Sequence, residues 1–197
     1  MGRENDIVVV SAVRTPFGKF GGSLSGFRND DIGAMVMKEV IERVNIKPEE
    51  IGELYYGITV LLEPGMHLDI PARIATLKAG FPPSTLSLTI DRACCSSLNA
   101  VKLACRAIEV GATEITMAVG VECMSNIPLF VRSNIRWGSR IGDIVLEDVL
   151  YEFGYSDAGF NVVSVDAGEV ALEHGVTRED QDTWAYITQM RPLQLCR

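Results

Sequence analysis

Four short runs rich in β-branched and aromatic residues alternate, over positions 1–121, with stretches whose apolar residues recur every three or four places. The runs are Ile7–Val13, Glu53–Val60, Leu86–Ile90 and Glu114–Val121. Between the first two, Ile32, Met35, Val36, Val40, Ile41 and Val44 lay one stripe along a helix from Asp31 to about Asn45. Ile70–Ala79 and Leu98–Val110 carry the same period. Strands that alternate with amphipathic helices predict a layered α/β domain with a largely parallel or mixed sheet. Pro16 closes the first run, and Pro48 opens a short helical turn where its missing N–H is no loss. The glycine-rich stretch Phe17–Gly22 lacks the Gly-Lys-Ser/Thr ending of a phosphate loop, so it reads as turn chemistry.

Past Glu122 the pattern changes. Positions 128–166 are irregular and rich in Gly, Asp and Arg, with only a short candidate helix at Ile144–Phe153. Asp166–Gly175 and Arg178–Met190 then read as helices, the second opened by Thr177 with Asp180 three residues on, the spacing of a capping box. The change in pattern divides the chain into an α/β part over 1–121 and a loop-rich part over 122–197.

Charge removes several classes of partner. With 18 Lys and Arg against 26 Asp and Glu, the formal charge is −8, and no basic cluster exists to release counterions from a nucleic acid or an anionic membrane. No stretch approaches the roughly 18 apolar residues of a membrane span. Cysteines stand at 94, 95, 105, 123 and 196, an odd count with two adjacent, which suits a reducing compartment better than a disulfide framework. The opening residues carry mixed charge and no signal-peptide apolar core, so a soluble, cytoplasmic chain is predicted. The absence of Cys-x-x-Cys or a histidine cluster predicts no metal.

The chemistry concentrates in Thr89-Ile90-Asp91-Arg92-Ala93-Cys94-Cys95-Ser96-Ser97-Leu98-Asn99-Ala100-Val101. A strand ends near Ile90 and a helix begins near Ser96, which puts Cys94 and Cys95 on a tight strand-to-helix turn. Such a turn presents one side chain at the edge of the sheet, and the N–H groups and dipole of the following helix favour an anion there, which lowers a thiol's pKa. A thiolate so placed can attack a thioester or ketone carbonyl while helix N–H groups hold the oxyanion. Cys105 shares an apolar stripe with Leu98, Val101 and Ile108, and Cys123 follows a strand, so both read as packing residues. Glu122, at a strand end, reads equally as a structural hydrogen-bond partner or as a group that orients the neighbouring loop.

The segment also resembles the acyl-enzyme cysteine signature of the thiolases, Asn-x-x-Cys-(Ser/Gly)-Ser-Gly-Leu. Ala12–Leu24 is similar to the thiolase opening, Pro71-Ala72-Arg73 to its Pro-Ala-Arg element, and Gly120–Pro128 to Gly-Gly-x-Glu-Ser-Met-Ser-x-x-Pro. Arg136–Asp143 and Gly175–Asp182 match two further stretches, so the likeness runs over about 6–190. Register assigns the nucleophile to Cys94. Asp91, Cys95 and Ser97 replace the family's asparagine, small residue and glycine, and Ser97 is positioned to crowd the helix's approach to substrate.

The resemblance implies reversible thiolytic cleavage or Claisen condensation of 3-oxoacyl-CoA in acyl-CoA and lipid metabolism. Coenzyme A would serve as a substrate, with no resident cofactor. It further implies an acyl pocket lined by Met124, Tyr155, Val162 and Val163, with the two valines replacing a His-Met pair and disfavouring a two-carbon acyl unit. Family chains are about twice as long, and their second half carries the activating histidine and a second cysteine; neither His67 nor His174 matches that motif. The 197-residue chain is therefore expected to lack turnover alone, and to form a homo-oligomer or pair with a C-terminal thiolase half. Another condensing enzyme of the superfamily, or a non-catalytic half acting as a partner subunit, remains compatible with the same residues.

Overall fold

The computed structural model describes residues 6–61, 70–139, 141–148, 150 and 163–195, and the chain divides into two compact units, Met1–Glu147 and Asp148–Arg197. In the first unit β1 (Glu53–Gly57) lies between β2 (Leu86–Ile90) and β3 (Thr116–Gly120), and both pairings are parallel. Parallel neighbours need crossovers. These are supplied by α2 (Pro71–Lys78) between β1 and β2 and by α3 (Ser96–Glu109) between β2 and β3, while α1 (Asn29–Glu42) precedes the sheet. Gly57 sits opposite both Ile90 and Gly120, so all three strands end at one edge.

Alternation along β1 separates two layers. Leu54 and Tyr56 point into a core with Met37 and Ile41 of α1, Ala72 and Ala75 of α2, and Met117 and Val119 of β3. Tyr56 is fully buried, and its hydroxyl donates to the Asn29 carbonyl at 2.8 Å, which satisfies the polar end of a core aromatic. The start of α1 is fixed electrostatically as well. Buried Asp30 takes Arg28 at 2.9 Å and Lys78 of α2 at 2.6 Å, and Lys78 also reaches Asp31 at 2.6 Å. Burial alone would raise the Asp30 carboxyl, but hydrogen bonds and charge from Lys78 and Arg28 outweigh it and hold the group below the usual carboxylate range.

The other face of β1 receives α3, and here the packing differs from the sequence expectation. Ser96, Ala100, Ala104 and Ala107 form the buried stripe, while Leu98 and Val101 are 72% and 45% exposed. Two glycines explain the choice. A Cβ on Gly57 would meet Ser96 C, Ser97 N and Ser96 O at 2.5, 2.6 and 2.7 Å, and one on Gly120 would collide with the Ser97 side chain. The helix lies so close to the strands that only small side chains fit beneath it. Ser97 accordingly reaches over Gly120 of β3, which is where its hydroxyl goes.

Residues 7–13 and the described part of 144–153 depart from the predicted elements. Residues 7–13 form no strand, and Val8 and Val9 are 69% and 83% exposed. β-Branching makes such a run extended but gives it no partner: both edges of β1 are taken by β2 and β3, and the outer edges of those strands are not paired to it. Ile144–Leu146 is irregular rather than helical, because Glu147 exchanges backbone hydrogen bonds of 2.9 and 2.7 Å with Phe130 in an antiparallel bridge. Residues 149 and 151–153 of that predicted helix lie outside the described residues.

In the second unit α4 (Val163–Glu173) is closed by Gly175 at φ +67°, with Val176 N–H bonded to the Ala171 carbonyl at 2.9 Å. The capping box opening α5 (Arg178–Leu195) forms as the sequence predicts: Thr177 N–H and hydroxyl donate to Asp180 at 2.9 and 2.6 Å, and Asp180 N–H returns a bond to Thr177 Oγ1 at 3.1 Å. Among the described residues no helix is long and apolar enough to cross a membrane. Nor, among them, is any group of three or more His, Cys, Asp or Glu side chains placed to hold a metal ion.

Candidate active site

At the C-terminal edge of the parallel strands, where open α/β sheets bind their ligands, five residues turn the chain from β2 into α3. Ala93 sits in the left-handed region at φ +47°, a conformation an alanine adopts only when its surroundings impose it. Its N–H donates to Asp91 Oδ1 at 2.9 Å, a side-chain turn that holds the first bend. Ser96 supplies the second restraint. Its hydroxyl accepts Arg92 N–H at 2.8 Å and donates to the Ala93 carbonyl at 2.6 Å, and its own N–H reaches the same carbonyl at 3.0 Å. Cys95 N–H closes on Arg92 O at 3.1 Å, and Asn99 N–H donates to the Cys95 carbonyl at 2.9 Å, which joins Cys95 to the helix. Cys94 and Cys95 are both left exposed at the outside of this turn.

The N–H groups of Cys95 and Ser96 are occupied by the turn itself, so within the first turn of α3 the donors that an intrahelical ladder leaves open begin at Ser97 and Leu98.

Glu122 follows β3 and reaches across the edge. Its carboxylate accepts Thr59 N–H at 2.7 Å and Val60 N–H at 3.3 Å, which draws the last two residues of the predicted second strand out of the ladder. Burial pushes the Glu122 carboxyl above its usual range against the opposing pull of those N–H groups and of the Thr59 hydroxyl, and the charge of Asp91 adds to the rise. The loop after Glu122 is fastened elsewhere: Gly21 N–H donates to Ser125 Oγ at 2.9 Å, and Asn126 Nδ2 donates to the Phe27 carbonyl at 2.7 Å. Met124 stands half-buried at the start of the short turn Met124–Asn126.

Val163 begins α4 and is exposed, in the unit after Glu147. Tyr155, Val162, His67 and Cys196 lie outside the described residues. His174 is exposed at the end of α4, Cys123 is buried, and Cys105 is half-buried. Sequence reasoning overlooked Thr59, Gly57, Gly120 and the Ser96 hydroxyl. The available signal was a glycine near the end of two strand-like runs flanking the cysteine turn, which marks the close approach of a backbone.

A thiol displayed on a restrained strand-to-helix turn at the ligand-binding edge of a parallel sheet defines a class of α/β protein able to present a nucleophile. The family model described as Thiolase, N-terminal domain matches residues 7–192, and the chain belongs to the thiolase family. It is 41% identical over 186 residues to acetyl-CoA acetyltransferase of Cupriavidus necator, covering 93% of this chain and 46% of that relative. Acetyl-CoA acetyltransferase of Schizosaccharomyces pombe is 37% identical, with 94% of this chain and 46% of the relative covered. Among solved structures, human mitochondrial 3-ketoacyl-CoA thiolase in complex with CoA superposes with a TM-score of 0.84 at 32% identity, covering 92% of this chain and 46% of that one. The acetyl-CoA acetyltransferase of Syntrophomonas wolfei gives 0.82 at 31%, covering 95% of this chain and 46% of that one. The chain thus spans about half the length of the relatives it matches.

Proposed function

We propose that this chain supplies the nucleophile of an acyltransferase that moves acyl groups to and from coenzyme A, with Cys94 as the acyl-enzyme residue. The observation that carries the reading is the exposed Cys94 on a turn pinned at Ala93, at the edge where the three strands end. In the thiolytic direction the Cys94 thiolate attacks the 3-oxo carbon of a 3-oxoacyl-CoA. The bond between C2 and C3 breaks, acetyl-CoA departs after its carbanion takes a proton, and the shortened acyl group stays on Cys94 as a thioester. Coenzyme A then attacks that thioester and carries the acyl group away; the reverse sequence is condensation. Coenzyme A is a substrate in this scheme, and no resident cofactor takes part.

Within the same reading Met124, Tyr155, Val162 and Val163 line the acyl pocket, the segment 122–197 covers it, and the two valines select something other than a two-carbon acyl unit. The activating histidine and the second cysteine belong, by family resemblance, to the C-terminal thiolase half; a homo-oligomer or pairing with such a half, in the cytoplasm, completes the same reading. General acid–base steps each contribute about 10²- to 10⁴-fold, so the 197-residue chain alone should acylate slowly at most and not turn over. The test is a CoA-dependent thiolysis assay of the purified chain beside the chain co-expressed with a C-terminal thiolase half. Activity only in the pair, lost in Cys94→Ala, is expected. Cleavage that survives Cys94→Ala in the pair refutes the assignment, and full turnover by the lone chain refutes the division of labour.

A further inference from the structure

One threonine, Thr59, bonds to the residues that follow both of the outer strands. Glu122, after β3, captures the N–H groups of Thr59 and Val60, after β1, and the Thr59 hydroxyl donates to the Ala93 carbonyl, after β2, at 3.0 Å. Every other hydrogen bond made by residues 91–95 among the described residues stays within the turn or passes to α3: Asp91 to Ala93, Arg92 to Cys95, Ser96 and Asn99, Ala93 to Ser96, and Cys95 to Asn99. Local bonds of that kind shape a turn but do not fix it against the sheet. The Thr59 bond does, and it ends on the carbonyl of Ala93, the residue at φ +47° immediately before Cys94.

We propose that Thr59, braced by Glu122, is a positioning residue that anchors the Ala93 carbonyl and so fixes where Cys94 is presented. This rests on the reading of Cys94 as the nucleophile. Glu122 acts one step further back. By holding Thr59 N–H, it orients the threonine so that its hydroxyl lies between the carboxylate and the Ala93 carbonyl, with the carbonyl as the acceptor in the observed geometry. A β-branched side chain suits the task, because Thr keeps few χ1 choices and the hydroxyl stays aimed. Losing the bond frees the turn to relax from the left-handed region, which moves Cys94 directly, since the two residues share a peptide bond.

The experiment measures, on the 197-residue chain, the rate of Cys94 carboxamidomethylation by limiting iodoacetamide, with Cys105 labelling as the internal reference, and amide exchange of the 91–97 segment. The variants are Thr59→Val, Thr59→Ser and Glu122→Gln, with circular dichroism confirming that each folds. The net worth of one intramolecular hydrogen bond corresponds to roughly a 2- to 10-fold change in population. Thr59→Val should slow Cys94 relative to Cys105 and speed exchange across the turn by a factor in that range. Thr59→Ser, which keeps the hydroxyl, should restore both, and Glu122→Gln should shift them in the same direction as Thr59→Val. If Thr59→Val folds and leaves labelling and exchange unchanged, or if Thr59→Ser fails to restore them, the inference is overturned. Should Thr59→Val not fold, Glu122→Gln with unchanged labelling and exchange overturns it equally. The nucleophile reading fails separately: Cys94 unlabelled in the unaltered chain refutes it whatever the Thr59 variants do.

Discussion

Gly57→Ala tests the packing that delivers the cysteine turn to the sheet edge. The added Cβ would lie 2.5, 2.6 and 2.7 Å from Ser96 C, Ser97 N and Ser96 O, all backbone atoms at the start of α3. Comfortable contacts between such atoms begin at about 3.5 Å, so α3 must retreat by roughly 1 Å, and no flexible side-chain end can absorb the clash. Overpacking of this kind typically destabilises by about 1–3 kcal/mol. For a chain of this size that lowers the melting temperature by roughly 2–12 °C. The retreat carries Cys95 and Cys94 with it, because they lead directly into Ser96, so Cys94 labelling by iodoacetamide should change along with stability. Gly26→Ala is the control: an added Cβ meets nothing within 4 Å there, and the expected change stays within about 0.5 kcal/mol. Gly120→Ala should behave like Gly57→Ala but be partly relieved by Ser97→Gly, since the Ser97 side chain is what it strikes. Urea denaturation and thermal melts read the stability, and peptide mapping reads the thiol. A Gly57→Ala chain with an unchanged midpoint and unchanged Cys94 labelling would refute a contribution of the close seating of α3 to the turn's position.

Two further outcomes follow from the same structure. Limiting iodoacetamide should label Cys94 ahead of Cys105 and Cys123, because it alone of these three is exposed and precedes a helix start; dominant labelling of Cys123 would contradict the described burial. Asp30→Asn should lower stability at pH 7 by about 1–3 kcal/mol, since it removes the buried carboxylate that Arg28 and Lys78 share, although Lys78 keeps Asp31 and both cations keep contact with solvent. The folded Asp30 carboxyl is held below its ordinary value near 3.8, so its contribution is fully present above that pH and is lost as the pH falls through the lower, folded value. The unaltered chain should therefore lose stability more steeply below pH about 4 than Asp30→Asn does; parallel acid limbs in urea titrations of the two proteins would disprove the pairing.

The strand and helix alternation over 29–120 was legible because each element carries its own period. Leu54 and Tyr56 alternate with Tyr55 and Gly57 as a buried strand must, and the predicted stripe of α1 puts Ile32 and Ile41 on the core side, although Met37, outside that stripe, is fully buried and Met35, within it, is exposed. The cysteine turn was legible for the same reason, being the interval between a run that ends at Ile90 and a period that begins at Ser96. What misled was apolar content taken as burial. Ile7–Val13 reads as a strand by composition, yet pairing depends on a neighbour's free backbone groups, which residue type does not encode. The Leu98 and Val101 stripe of α3 reads as the packed face, yet the sheet offers that helix a floor of glycine, on which alanine fits and leucine does not.

The sequence by itself determined the α/β class, the position of Cys94 between a strand and a helix, and membership of the thiolase family through several short motifs in order. These are properties of local period and of residues adjacent in the chain. Tertiary structure alone decided how Cys94 is held. Glu122 and Thr59 are separated by 63 positions, and Thr59 and Ala93 by 34, and they meet only because parallel pairing brings the ends of β1, β2 and β3 to a single edge. Hydrogen bonds act over about 3 Å whatever the distance along the chain, so a link of that kind has no periodicity to announce it and exists only once the strands are in register.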